Sequence, residues 1–146
     1  MRIYLDICTI QRPFDDASQL RVHVEAEAFL RILERIESGE IQLVGSYVHM
    51  METDANPHLL RRRFAERVLA LASEFIDPND EVDARALEYR SMGLHMFDAT
   101  HLAVAVECHV DFFCTCDDRL LRRAKAAETG VTRAVTPIEL IEEVEG

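Results

Sequence analysis

Two periods of hydrophobic and polar residues alternate along this chain. Short apolar runs at Arg2–Leu5 with Ile7, at Ile41–Val44, at Val110–Cys114 and at Val131–Val135 are bounded by polar or turn-forming residues. Such runs read as short buried strands. Between them the spacing lengthens to that of a helix. Val22, Ala26, Phe29, Leu30, Leu33 and Ile36 share one face between Ser18 and Glu37, and Ser38-Gly39 closes that helix. Ser46 can cap a helix after the second strand. Asn56-Pro57 places a cap and a proline at a helix start, which predicts a helix reaching Phe75 with Leu60, Phe64, Val68 and Leu71 on one face. Asp77-Pro78-Asn79 is a turn, and the helix after it runs to Ser91 and stops at Gly93. Thr136-Pro137-Ile138-Glu139 is a capping box that opens a C-terminal helix. Strands alternating with helices predict a three-layer α/β/α sandwich with a mainly parallel central sheet, organised as one domain over residues 1–146.

The stretch Met96–Ala124 organises the rest. Asp98 is expected to open a helix whose Leu102–Val106 segment is apolar nearly all round, so that helix belongs in the core. The run through Cys114 then ends in Thr115-Cys116-Asp117-Asp118. Open parallel sheets bind ligands outside the carboxyl ends of their strands. Asp117 therefore stands where such a fold keeps its chemistry, with Asp98 expected beside it. Asp6 ends the first strand, and Glu52 lies in the helix after the second, one turn beyond the apolar Val48. Taken singly, each acid has a structural explanation as a helix cap, a turn residue or a solvated side chain. Taken together they repel, and their pKa values rise unless a cation neutralises them. Mg²⁺ or Mn²⁺ answers that need with oxygen ligands, and such an ion activates water for displacement at phosphorus.

Charge complicates this picture. The net charge of −11 opposes nucleic acid in general, so any phosphate contact has to be local. Arginines cluster at Arg61–Arg63 with Arg67, and at Arg119, Arg122 and Arg123 beside Lys125. Arg12, Arg119 and Arg122 are the candidates for holding a phosphate backbone; solvated helix faces are the plainer reading of the clusters. The four cysteines make no C-x-x-C pair, and a zinc site from Cys108, His109, Cys114 and Cys116 fits no standard spacing, so buried reduced thiols are expected. No apolar run reaches the roughly 18 residues of a membrane span, and the N-terminus lacks the pattern of a signal peptide. A cytoplasmic protein without a membrane partner is expected.

Four segments together are similar to the PIN-domain family, in the branch that includes VapC-like toxin ribonucleases. Tyr4–Asp16, YLDICTIQRPFDD, resembles the family's opening strand with its Asp and a following Arg-Pro-Phe-Asp-Asp loop. Ser46–Pro57, SYVHMMETDANP, resembles the second motif and puts its Glu at Glu52. Met92–Ala105 resembles the third, with Asp98 and a frequent His at His101, and Phe112–Ala124 resembles the fourth, with Thr115 and Asp117. Ile7 departs from the usual Thr or Ser. The resemblance implies a Mg²⁺- or Mn²⁺-dependent endoribonuclease in which Asp6, Glu52, Asp98 and Asp117 hold metal and attacking water, and Thr115 helps to orient them. Asp118 is a rival to Asp117. His101, three residues after Asp98, either hydrogen-bonds to it or is a satisfied core histidine. The resemblance also implies RNA as substrate, a small antitoxin protein as partner and a homodimer, with the apolar face around Leu60–Leu71 available for either protein contact.

Other acidic α/β classes fit less well. A phospho-accepting receiver needs a lysine at a late strand end, and the only lysine, Lys125, lies well past Asp117. A haloacid-type phosphatase needs Asp-x-Asp after the first strand, where this chain has Asp6-Ile7-Cys8. The alternative that keeps the fold is a catalytically silent PIN-like module that binds RNA or protein.

Overall fold

A computed structural model describes residues 1–146. In chain order the elements are β1 (Arg2–Leu5), α1 (Ile7–Ile10), α2 (Leu20–Glu37), β2 (Gln42–Ser46), α3 (Tyr47–Asp54), α4 (Leu59–Leu69), β3 (Glu74–Ile76), α5 (Asp80–Ser91), α6 (Met96–Glu107), β4 (Phe112–Cys114), α7 (Asp118–Ala126), β5 (Arg133–Val135) and α8 (Pro137–Glu145). The five strands form one parallel sheet in the order β3-β2-β1-β4-β5. Helices cover both faces, which is the expected α/β sandwich.

Strand alternation sorts β1 between the two faces. Ile3 and Leu5 pack with α2, α4 and α8, whereas Tyr4 points into the layer of α3, α5, α6 and α7. Because both faces are buried, the central strand reads as a continuous apolar run. α6 is the most enclosed helix: Ala99 and His101–Val106 are all buried, as its all-round apolar surface predicts. No helix is long and apolar enough to cross a membrane.

Connectivity decides where the crevice lies. From β1 the chain moves outward to β2 and β3, then returns to place β4 on the other side of β1. The reversal makes a crevice at the carboxyl ends of β1 and β4. Asp6 follows β1 and Thr115–Asp117 follow β4. The Asp6 N–H still donates to the Cys114 carbonyl at 3.1 Å, so the two strand ends stay in register past the sheet.

Several boundaries differ from the sequence expectations. Ile7 leaves the first strand, because Asp6 Oδ1 accepts the Thr9 N–H at 3.0 Å and starts α1 at once. The helix expected to reach Phe75 stops at Leu69, and Glu74–Ile76 form the edge strand β3 instead. Apolar spacing in so short a segment fits both a helix tail and a strand, and the open edge of β2 settles it; Ser73 N–H already donates to the Leu43 carbonyl. Asn56 accepts the His58 N–H, and His58 takes the N-cap position of α4. Asp98 does not open its helix. His95 is the N-cap, and Asp98 lies within the first turn, which frees its carboxylate from capping.

Candidate active site

Asp6 is 3% exposed, at the start of α1. Besides the Thr9 N–H, its carboxylate accepts from the Cys8 thiol at 3.0 and 3.1 Å. Burial pushes the Asp6 pKa upward, and hydrogen bonds from Thr115, Cys8 and Thr9 pull against it. The buried Thr115 hydroxyl accepts the Asp117 N–H at 3.0 Å and lies 3.5 Å from the Cys8 thiol, so it touches the ends of both β4 and β1.

Asp98 reaches the same place from the first turn of α6. Burial raises its pKa to about 6, and the charges of Asp6, Asp117 and Glu52 push the same way. Asp98 thus feels the charges of the three other candidate acids. Glu52, on α3, is raised to about 7 by burial. Asp117 is the N-cap of α7: its Oδ1 accepts from Arg119 N–H at 2.9 Å and Leu120 N–H at 3.0 Å. It is a cap, as its sequence position suggests, with the other oxygen outside those bonds. None of the four is paired with an arginine or lysine; Glu52 has a histidine neighbour, His101.

His101 is a satisfied core histidine, the plainer of its two sequence readings, and the bond to Asp98 is not made. Its Nε2 lies 2.8 Å from Glu52 Oε1, and Nδ1 meets the Tyr4 hydroxyl, so its carboxylate partner is Glu52 rather than Asp98. Burial lowers the His101 pKa to about 4. The neutral ring then donates Nε2–H to Glu52 and accepts from Tyr4 at Nδ1, a tautomer assigned from its partners. Tyr4 and His49 carry no obvious sequence signal of their own. Tyr4 is a core position of β1, although His49 lies one helical turn before Glu52, on the same face.

The other nominated residues are dispersed. Asp118 is gripped by Arg21 through two bonds of 2.7 Å, which hold its pKa below the usual range. Arg12 bonds to buried Glu25 at 2.7 Å and to Asp15 at 3.1 Å, so its guanidinium ties the loop after α1 to α2. Arg119 lines a cavity of about 120 Å³ together with Asp98, Asp117, Gly93, His95 and Arg123; Arg122 is exposed on the same helix. His95, not nominated from sequence, and Arg123, a member of the second basic cluster, stand beside the carboxylates there. The cysteines are free thiols, and Cys108 and Cys116 lie at opposite ends of β4.

As the side chains stand, no three His, Cys, Asp or Glu groups are close enough to hold a metal ion. The donor chemistry nevertheless fits a hard divalent cation: carboxylates near a strand-end crevice, Asp6, Glu52 and Asp98 with raised pKa values, and none ion-paired with an arginine or lysine. Water ligands can complete such a sphere.

Comparison with known proteins agrees with the fold. The structure of PAE2754 from Pyrobaculum aerophilum superposes with a TM-score of 0.53 at 17% identity, over 99% of this chain and 98% of that one. VapBC2 from Rickettsia felis, in a structure bound to a DNA fragment from its promoter, gives a TM-score of 0.58 at 11% identity, over 93% of this chain and 98% of that one. At these identities the likeness is one of fold. No curated protein matches the sequence. Residues 18–127 match the family model of the PIN domain, and the chain belongs to the PIN-domain family.

Proposed function

We propose that this chain is a Mg²⁺- or Mn²⁺-dependent endoribonuclease acting as the toxin of a toxin–antitoxin pair. PIN domains are generally nucleases. The observation that carries the reading for this chain is that Asp6, Glu52 and Asp98 all have raised pKa values, Asp98 in part through the charges of the other acids, and that none is ion-paired with an arginine or lysine. Asp6, Glu52, Asp98 and Asp117 would hold the ion, which when bound activates water and stabilises charge building up at phosphorus. Thr115 accepts the Asp117 N–H and helps to orient the Asp6 carboxylate. Arg119, with Arg122 beside it, binds the backbone phosphates; Arg12 is already committed to Glu25 and Asp15 and contributes by holding the loop. An antitoxin, or a second copy of the chain, covers the exposed Leu59 and Leu60 at the start of α4. The resemblance to VapC-like toxins and the fold shared with VapBC2 support the partner assignment. The chain is one domain and works in the cytoplasm.

A labelled RNA incubated with highly purified protein tests this. Cleavage is expected with Mg²⁺ or Mn²⁺, not with EDTA, and weakly with Ca²⁺, whose looser geometry positions water poorly. RNA that is bound but left intact at every metal concentration would support the silent binding module instead. Robust cleavage in chelator would remove the metal mechanism.

A further inference from the structure

We infer that Tyr4 and His101 are positioning residues that hold Glu52 in place for the metal through a buried chain of side-chain hydrogen bonds. The inference rests on the proposed metal site and deepens it. The chain runs from Ser46 Oγ to the Tyr4 hydroxyl at 2.8 Å, from that hydroxyl to His101 Nδ1, and from His101 Nε2 to Glu52 Oε1 at 2.8 Å. Ser46, Tyr4 and His101 are each 0% exposed, whereas Glu52 is part-exposed on α3. The link therefore runs from the middle of the core to the edge of the site.

Comparison of the two buried histidines separates positioning from plain core packing. His49 also has 0% exposure and satisfies both ring nitrogens with backbone: Nε2–H donates to the Leu5 carbonyl at 2.6 Å, and Nδ1 accepts the Ser46 N–H at 3.1 Å. That ring stabilises the fold and reaches no site residue. His101 uses no backbone group at all. Both its bonds go to side chains, one in the core and one in the site.

The rings leave little freedom. Tyr4 stacks on His49 at 4.4 Å and on Phe113 at 5.8 Å, and meets His101 edge-on at 5.5 Å. The Tyr4 hydroxyl is thereby fixed at the end of β1, and it fixes the His101 ring in turn. Glu52 has three rotatable side-chain bonds, so without a partner its carboxylate would sample many positions. His101 engages one oxygen, Oε1, and leaves Oε2 for a metal or its water. Hydrogen-bond partners of ligating carboxylates commonly carry ten- to a hundredfold of metal affinity.

The test uses the full chain, Mn²⁺ alone as the probe, and titration calorimetry with melting curves in EDTA. Tyr4→Phe removes one hydroxyl and keeps the ring packing; His101→Gln removes the imidazole bridge. Each is expected to weaken Mn²⁺ binding by about tenfold, while a Leu140→Ala control on the opposite face lowers the melting temperature in EDTA and leaves the affinity of the folded protein unchanged. Should His101→Gln fail to fold, Tyr4→Phe still decides. If Glu52→Gln weakens Mn²⁺ binding but Tyr4→Phe and His101→Gln bind like the parent, the positioning role is overturned and the metal site stands. If the parent does not bind Mn²⁺, or Glu52→Gln binds it equally well, the metal reading itself fails and this inference with it.

Discussion

Glu25 and Asp6 are buried to nearly the same degree, 1% and 3% exposed, and stand in opposite electrostatic settings. Glu25 receives Arg12 at 2.7 Å and Arg21 at 3.4 Å, and Arg21 goes on to grip Asp118. Asp6 receives a thiol and a backbone N–H, and its acidic neighbours Asp98 and Glu52 have no arginine either. Burying a charge costs several kcal/mol unless a partner compensates it. In the Glu25 set the compensation comes from within the chain, so the set is a finished structural network. In the Asp6 set it is missing, so the folded protein carries a standing preference for protons or for a cation. Asp117 and Asp118 show the same division between adjacent residues: one faces the unpaired set and the other is absorbed by Arg21.

The largest test of this division is catalytic. Asp98→Asn or Asp6→Asn should lower RNA cleavage by at least about a hundredfold, since metal stabilisation of transition-state charge is worth several kcal/mol and each 1.4 kcal/mol is tenfold. In EDTA the same variants should melt no lower than the parent, because a repelling charge is gone; in saturating Mg²⁺ the parent should gain more and the order should reverse. Equal melting shifts in both buffers, with cleavage retained, would mean these acids are structural after all.

Glu25→Ala should behave in the reverse way. It removes one of the two carboxylate partners of Arg12 and of Arg21, leaving Asp15 and Asp118, and after allowing for their partial exposure the expected loss is about 2–3 kcal/mol, equal in EDTA and in Mg²⁺. Denaturant titrations in the two buffers measure it; a loss that Mg²⁺ relieves would join the two acid sets into one.

A smaller effect follows from pH in the metal-free protein. Asp98 rises from 3.8 to about 6 and Glu52 from 4.5 to about 7 on folding. The folded state therefore binds protons more tightly than the unfolded one, and stability is highest below about pH 4 with respect to these groups. It should fall as pH rises through that window to about 7, by about 1–2 kcal/mol once solvent screening at their exposed edges is allowed for. Mg²⁺ should flatten the slope, and so should the double variant Glu52→Gln with Asp98→Asn. A parent that gains stability between pH 5 and pH 7 in EDTA would contradict the unpaired reading.

The smallest effect is expected at Asp118. Asp118→Asn weakens an exposed bond to Arg21, so cleavage and Mn²⁺ affinity should stay at parental values with at most a slight, metal-independent drop in melting temperature. If Asp118→Asn abolished cleavage and Asp117→Asn did not, the two would have to exchange roles.

Much of this was legible along the chain. Period and punctuation located the buried α6, the long α2, the capped α8 and the short strands β1, β2, β4 and β5, because binary patterning and capping are local properties. The order of Asp6, Glu52, Asp98 and Asp117 relative to those elements was local too, and the rule that parallel sheets work at their carboxyl ends turned that order into a candidate site. β3 was not legible, since three residues at a sheet edge become a strand only when β2 offers them a ladder. Nor was the helix start before Asp98, where His95, Met96 and Phe97 carry none of the usual N-cap signals.

What the sequence alone determined, then, was which residues are apolar, acidic or basic and on which element each sits. Only the tertiary structure decided how they pair. Arg12 looked free for phosphate until the fold brought Glu25 within 2.7 Å of it, and His101 looked like a partner for its helical neighbour Asp98 until α3 brought Glu52 to its other side. Pairings between residues 13 and 49 positions apart depend on sheet order and helix packing. Whether a buried charge is compensated is fixed by those distances, because the interaction between charges falls with separation in space and takes no account of separation along the chain.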